Sequence, residues 1–424
     1  MQHYQISKEM HDFFRGFKKE LTKPQMKRLK ELMNGILLGK KAILSEVARQ
    51  NRSKSRGKTV RKQVEQYSDM LPKFPLERMI REKLEGFKTQ IKPDTPLYFD
   101  FTDITKEFYK KMDCIGNTWD GSEGIPGKGY EIVDVSFEYG NRNGVSLFRH
   151  AYSTSGKDHR SQTKEIEKVL QVLFDSWGEI RGTLFFDAGG DNDNLIKILL
   201  KKEATFVIRM NSNRGARDRI FFDEEKNPVK MMSWSEPQGM TIWQNKKKRG
   251  DKRIVQLSWR TVYREYNGKM ILLYLVKARR DGDPNPVVFL TNRCIECESE
   301  AAKVYHQYFK RGLEEAVFKC HKDKLGMEKI QLESFEKVKQ FLLLYVLADQ
   351  FLYKLHKAAL KVGSIIYGLI KAFLGCEQRS VNKWAVIDWF THFYLFSERK
   401  YKRPKHRYRP KQAIPSTLLS PNPI

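Results

Sequence analysis

Tyr308-Phe309-Lys310-Arg311-Gly312-Leu313-Glu314-Glu315, continuing to Lys322, carries the spacing Tyr-x2-Arg-x3-Glu-x6-Lys. On a single α-helix turning about 100° per residue, offsets of 3, 7 and 14 bring Tyr308, Arg311, Glu315 and Lys322 within about a 60° sector of one face. One stripe then offers a carboxylate flanked by a phenol and two cations. Such a grouping suits a site in which Glu315 completes a metal shell while Tyr308, Arg311 and Lys322 hold phosphates. The competing reading is a solvated face with an i,i+4 Arg–Glu pair. Two acids upstream favour the first.

Asp100 follows the apolar strand segment Leu97-Tyr98-Phe99, and Asp187 ends Leu184-Phe185-Phe186 before the turn Ala188-Gly189-Gly190. An acid within or just after a buried strand is costly unless it is paired, hydrogen-bonded or bound to a cation. Either aspartate could instead simply cap the segment that follows it. Asp103, three residues past Asp100, is a second candidate for the first acid.

Working outward, residues 97–102, 130–137 and 145–152 read as three strands, the last two joined by the turn-rich stretch 138–144. A helix over 163–177, a strand over 182–187, a helix over 192–202 and a strand over 205–210 follow. This order is the ribonuclease-H-like succession, which predicts an α/β fold around a mixed sheet. The stretch 211–295 is strand-rich, with basic runs such as Lys246-Lys247-Lys248-Arg249, and reads as a β-rich insertion. Helices return over 296–400 to finish the core, and the basic, proline-containing tail 401–424 reads as disordered.

Residues 1–95 read as a separate helical, basic, DNA-binding domain. A short helix over 42–48, a polar turn over 51–57 and a second helix over 60–71 outline a helix-turn-helix. Lys54, Arg56, Lys58, Arg61 and Lys62 cluster around that turn and second helix, where phosphates would flank a major groove.

The 79 Lys and Arg against 51 Asp and Glu leave a net charge of +28, which points to polyanionic partners. No signal-peptide-like stretch opens the sequence, and the run Phe341–Leu355 is broken by Asp349 and Gln350, so we expect a cytoplasmic, nucleoid-associated protein with no membrane span. The five scattered cysteines suit a reducing compartment. With Cys320 and His321 downstream, Cys294-Ile-Glu-Cys297 can be drawn as a zinc site, but no second cysteine pair or paired histidines support it, and ordinary reduced thiols are the favoured reading.

The acids and the Tyr308–Lys322 spacing together resemble the DDE transposases of bacterial insertion sequences, in the group with a Tyr-Arg-Glu-Lys signature. The first acid is matched by Tyr98-Phe99-Asp100-Phe101-Thr102, the second by Phe186-Asp187-Ala188-Gly189-Gly190, and the signature by Tyr308, Arg311, Glu315 and Lys322. The resemblance spans about residues 97–325 and leaves the N-terminal region and tail outside it.

It implies that Asp100, Asp187 and Glu315 hold two Mg²⁺ or Mn²⁺ ions for in-line phosphoryl transfer on DNA. It also implies cut-and-paste transposition through a hairpin, and a homodimer that synapses the transposon ends before target joining. Trp243, Trp259 and Phe289 are candidates to stack on a distorted terminal base, against the plainer reading that they pack the insertion. The alternatives are a ribonuclease-H-like nuclease without strand transfer and a transposase-derived DNA-binding protein without catalysis.

Overall fold

Strands β1 (Pro96–Thr105) and β3 (Ile125–Glu138) pair antiparallel, while β5 (Thr183–Phe186) and β6 (Thr205–Arg209) lie parallel to β1, so this part of the sheet is mixed. This is a computed structural model, which describes residues 2–39, 43–51, 59–106, 110–120, 124–140, 143–211, 220–231, 236–244, 252–360, 366–368, 370 and 383–391. β4 (Gly144–Tyr152) pairs with β3, and a short strand that the sequence reading missed, β2 (Gly116–Asp120), pairs with the first part of β3. Helix α6 (Gln162–Trp177) joins β4 to β5, and α7 (Asp193–Lys201) joins β5 to β6.

Local chemistry sets these boundaries. The Ser161 side chain accepts from the Lys164 N–H to start α6, and Gly178, at φ +76°, ends it in the left-handed region. The Asn192 side chain accepts from the Asn194 and Leu195 N–H groups to start α7. The segments Leu97–Phe99 of β1 and Leu184–Phe186 of β5 are wholly apolar because they are covered on both faces, and all six residues are buried.

The described strands of the 211–295 stretch extend this sheet. β12 (Val287–Thr291) pairs antiparallel with β6, and β11 (Lys269–Arg280) and β10 (Lys252–Tyr266) carry the same sheet outward to the short strands β7 (Ile220–Phe222) and β8 (Pro228–Lys230). β9 (Gly239–Gln244) pairs with β10 as well. The result among the described residues is one 12-stranded sheet.

The N-terminal helices α1 (Gln2–Phe13), α2 (Lys23–Gly39), α3 (Leu44–Gln50), α4 (Val60–Met70) and α5 (Leu76–Phe87) also join the main core rather than standing apart. Phe13 meets Phe351 at 5.5 Å and Phe87 meets Phe137 at 5.6 Å between ring centroids. The Trp177 indole N–H donates to the Leu84 carbonyl (2.9 Å), fastening α6 to α5. Residues 52–58, between α3 and α4, lie outside the described ones, with Lys54, Arg56 and Lys58 among them, as do Lys246–Arg249 and the tail from 392 onward.

The apolar run around Phe341 belongs to the helix α10 (Phe335–Leu360), which is buried along most of its length. Asp349 and Gln350 within it have a structural task. The Asp349 carboxylate accepts from the Ser146 N–H (2.8 Å), and the Gln350 amide donates to the Leu147 carbonyl (3.1 Å), so the helix covers backbone groups of β4 that no strand pairs. Among the described residues no helix is long and apolar enough to cross a membrane.

Glu165, fully buried at the start of α6, ties that helix to β4 by accepting from His150 (2.8 Å), His159 (3.2 Å) and Lys168 (2.7 Å). Burial works against its charge, but these hydrogen bonds and the Lys168 charge prevail and bring the carboxyl down from 4.5 to about 2. A folded-state value below the unfolded one means stability that is present above pH 4.5 and lost as pH falls toward 2. Glu165→Gln should therefore lose up to about 3 kcal/mol at pH 7. In urea titrations the gap to wild type should close between pH 4.5 and about 2; a gap that stays constant with pH would refute the ionic account.

Candidate active site

Register aligns three residues of the parallel strands: Tyr98 with Phe185 and Phe185 with Val207. Tyr98, Phe185 and Val207 share one apolar cluster with Phe289, Tyr305 and Tyr308, so they face the same way. Side chains two residues further along a strand point to the same face. The next row is therefore Asp100, Asp187 and Arg209, at the C-terminal edge of β5 and β6 where the helical cover ends.

That cover consists of α8 (Glu298–Tyr308) and α9 (Gly312–Lys319), with a turn over residues 309–311 between them. The turn delivers Arg311. One of its guanidinium nitrogens lies 2.5 Å from Asp100 Oδ1 and 3.3 Å from Asp187 Oδ2. Asp100 Oδ1 also accepts from the Phe101 N–H, and Asp187 Oδ1 accepts from the Gly189 N–H, both at 2.9 Å. The tight turn after Asp187 needs Gly190, where a Cβ would sit 2.5 Å from that of Phe186.

Burial raises the Asp100 carboxyl above its ordinary value, and the nearby Asp187 adds to this, while Arg311 and the Phe101 N–H act in the opposite direction. For Arg311 burial works against charge, and the two carboxylates prevail and raise its affinity for the proton. The pair of aspartates is thus organised around one cation.

Asp103 lies on the opposite face of β1, three positions from Asp100, and accepts from the Thr105 hydroxyl (2.5 Å). It does not share the Asp100–Asp187 cluster.

The expected single-helix stripe is not formed. The turn at 309–311 interrupts it, and a π-helical segment over Cys320–Lys324 shifts the register again. Tyr308 is buried against Phe289, with ring centroids 4.8 Å apart. Arg311 reaches the aspartates, Glu315 is exposed in the first turn of α9, and Lys322 pairs with Glu328 at 2.9 Å. Four residues meant for one face therefore have four different surroundings.

Sequence reasoning passed over Glu314. It is fully buried, and neither carboxyl oxygen has a hydrogen-bond partner among the described residues. Burial raises it well above the ordinary 4.5, and the charges of Asp134 and Asp100 push the same way against Arg149 and Arg311. Asp134 is the cross-strand partner of Asp100 and is itself buried on Arg149 (3.0 Å) and the Ser146 hydroxyl (2.6 Å). The sequence signal was a second glutamate beside the signature acid, at a helix position one step around toward the core.

The remaining expected residues are dispersed. Arg61 pairs with Glu65 (3.1 Å) and Lys62 is exposed on α4. Trp243 lies under the Arg280 guanidinium (4.7 Å), which also covers Phe309. Trp259 is half-buried, and Phe289 is fully buried in the sheet. Cys294 and Cys297 contact Glu296 and Ser299, respectively.

Among the described residues no three His, Cys, Asp or Glu side chains are gathered closely enough to hold a metal ion. Asp100 and Asp187 nevertheless fit a hard divalent cation in kind, being carboxylates already disposed about one positive charge.

A buried, unpartnered carboxyl should cost stability. Because the folded protein holds the Glu314 proton to higher pH than the unfolded chain, stability contributed here falls as pH rises above 4.5. Glu314→Leu should raise unfolding free energy by about 1–3 kcal/mol and flatten that decline. Chemical denaturation at several pH values checks this, and a destabilised variant would show that Glu314 makes a needed polar contact.

No curated protein matches the chain. One solved structure that is similar is described as a cryo-EM structure of the piggyBac transposase synaptic complex with hairpin DNA, at a TM-score of 0.42 and 13% identity over 94% of this chain and 78% of that one. A family model described as a transposase DDE domain matches residues 142–348, a stretch that contains Asp187 and the whole of Tyr308–Lys322. Over residues 142–348 the chain is therefore similar to the transposase DDE domain.

Proposed function

We propose that this protein is a cut-and-paste DNA transposase of a bacterial insertion sequence, with a ribonuclease-H-like core and a metal-dependent site at the ends of β1 and β5. The observation that supports this reading most is the placement of Asp100 and Asp187 about a single cation, in a chain similar to the transposase DDE domain over residues 142–348. The strand order β4-β3-β1-β5-β6, with only β3 antiparallel to its neighbour β1 and β4 antiparallel to β3, is the order expected of such a core.

In this reading Asp100 and Asp187 hold Mg²⁺ or Mn²⁺, with Glu315 as the third ligand from the start of α9. When bound, a pair of such ions would activate the attacking oxygen and stabilise the leaving one. The protein's own groups hold the DNA in line for that displacement. Arg311 stands where a cation is wanted, and once replaced there it is within reach of the scissile strand's phosphate. Positive charge over the rest of the chain attracts the DNA backbone. A hairpin at the cleaved end, pairing of two protomers across two transposon ends, and end recognition by the N-terminal helices complete the proposal.

Purified full-length protein with Mg²⁺ and linear DNA carrying the element's ends tests it directly. Nicked, hairpin and strand-joined products are expected. Asp100→Asn and Asp187→Asn should each bring cleavage to the uncatalysed background while end binding stays within about threefold, since the amide keeps the shape and loses the charge that binds metal. Cleavage without joined products would favour a nuclease; binding with no cleavage by the wild type would favour a silent DNA-binding protein.

A further inference from the structure

The third member of the strand-end row has a different character from the two aspartates. Arg209 ends β6 two residues beyond buried Val207, and its side chain is exposed. Across the sheet it pairs with Phe289, on whose ring Tyr308 is packed. The Tyr308 hydroxyl lies within hydrogen-bonding reach of the Arg209 guanidinium, and Arg311 and Asp187 are close enough to act on the same phenol.

The two arginines of the site are used differently. Arg311 is largely buried and occupied by two carboxylates, whereas Arg209 has no carboxylate within ion-pair distance among the described residues. A guanidinium beside an acidic cluster would ordinarily be drawn into it. Here the Arg311 side chain already neutralises that cluster, and Arg209 stands exposed beside the Tyr308 phenol. Guanidinium donors in a fixed fork suit one class of anion in a site for nucleic acid, the phosphodiester.

Resting on the transposase reading, we propose that Arg209 is a DNA-positioning residue. It binds a backbone phosphate next to the scissile one, and Tyr308 aims it. Tyr308 then serves DNA indirectly, through Arg209, in keeping with its burial.

The test uses the full chain, end DNA, and three variants: Arg209→Gln, Arg209→Lys and Tyr308→Phe. Arg209 is exposed, so its variants should fold, which melting curves check. Arg209→Gln should weaken end-DNA binding about 10- to 100-fold, the range for a charge-assisted hydrogen bond. It should also lower the log–log salt slope by about one unit. Arg209→Lys should recover the slope but not the full affinity, and Tyr308→Phe should raise KM with little change in kcat.

A series of end DNAs, each with one uncharged methylphosphonate, adds a readout that a purely structural role would not move. Wild type should be sensitive at a phosphate adjoining the scissile one, and Arg209→Gln should be indifferent there. If wild type cleaves the ends and Arg209→Gln matches it in affinity, slope and methylphosphonate pattern, this inference is wrong and the transposase reading stands. If wild type neither binds nor cleaves the ends, both fall together.

Discussion

Two carboxylates on neighbouring parallel strands, in one row and partly out of water, repel each other and resist desolvation unless a cation lies between them. Strand register places Asp100 and Asp187 in this relation, because Tyr98 and Phe185 are paired two residues earlier. Arg311 relieves it, and the surrounding structure follows from how Arg311 gets there. A continuous helix through 308–322 would carry its side chain along the cover of the sheet. The turn at 309–311 instead drops the guanidinium onto the strand ends. The same break gives α9 its own direction, and that direction decides which of its two adjacent glutamates is buried and which is exposed.

The base under α9 is also ionic. Arg149 on β4 bonds Asp134 and lies 2.8 Å from a ring nitrogen of His321, while His321 is 3.3 Å from Asp349 of α10. Burial opposes the charge on Asp349, but Lys383 and His321 hold its carboxyl well below the usual carboxylate range. Charges this deep stabilise little in net terms, since desolvation offsets most of their attraction. They do fix geometry: one carboxylate joins the edge of β4, the π-helical segment and the segment around Lys383, leaving α9 one way to lie across the sheet.

The strands and helices of the catalytic half were legible because their patterns are strong and their ends chemically marked. Leu97-Tyr98-Phe99, Leu184-Phe185-Phe186 and Thr205–Ile208 are apolar runs of strand length, and Ser161, Asn192 and Gly178 cap or stop helices by known means. The short strand β2 escaped notice because Gly116–Asp120 is polar apart from Trp119 and pairs only with the projecting end of β3. The 211–295 stretch was seen as strands, yet which strand pairs with which depends on contacts distant in sequence, and β12 joining β6 leaves no local trace. The helix stripe failed for a similar reason. Spacing alone assumes an unbroken helix, while the pull of two aspartates on Arg311 comes from strands distant in sequence.

Asp100 and Asp187 could be singled out because a carboxylate beside a buried strand needs an explanation. Arg209 drew no such notice, since a cation at the end of a strand in a chain of net charge +28 is unremarked. It becomes informative only when strands are set in register: Tyr98-x-Asp100, Phe185-x-Asp187 and Val207-x-Arg209 are then one motif repeated three times across a sheet. The apolar residue of each pair anchors its strand under α8, and the charged residue of each lies just beyond that cover. Under the proposed function, two negative positions and one positive position on the same row would divide the tasks of holding cations and holding a polyanion between side chains that cannot exchange roles. A site built this way needs the sheet to be stiff, because a slip of one residue in β6 would turn Arg209 to the opposite face and leave the aspartates with Arg311 alone.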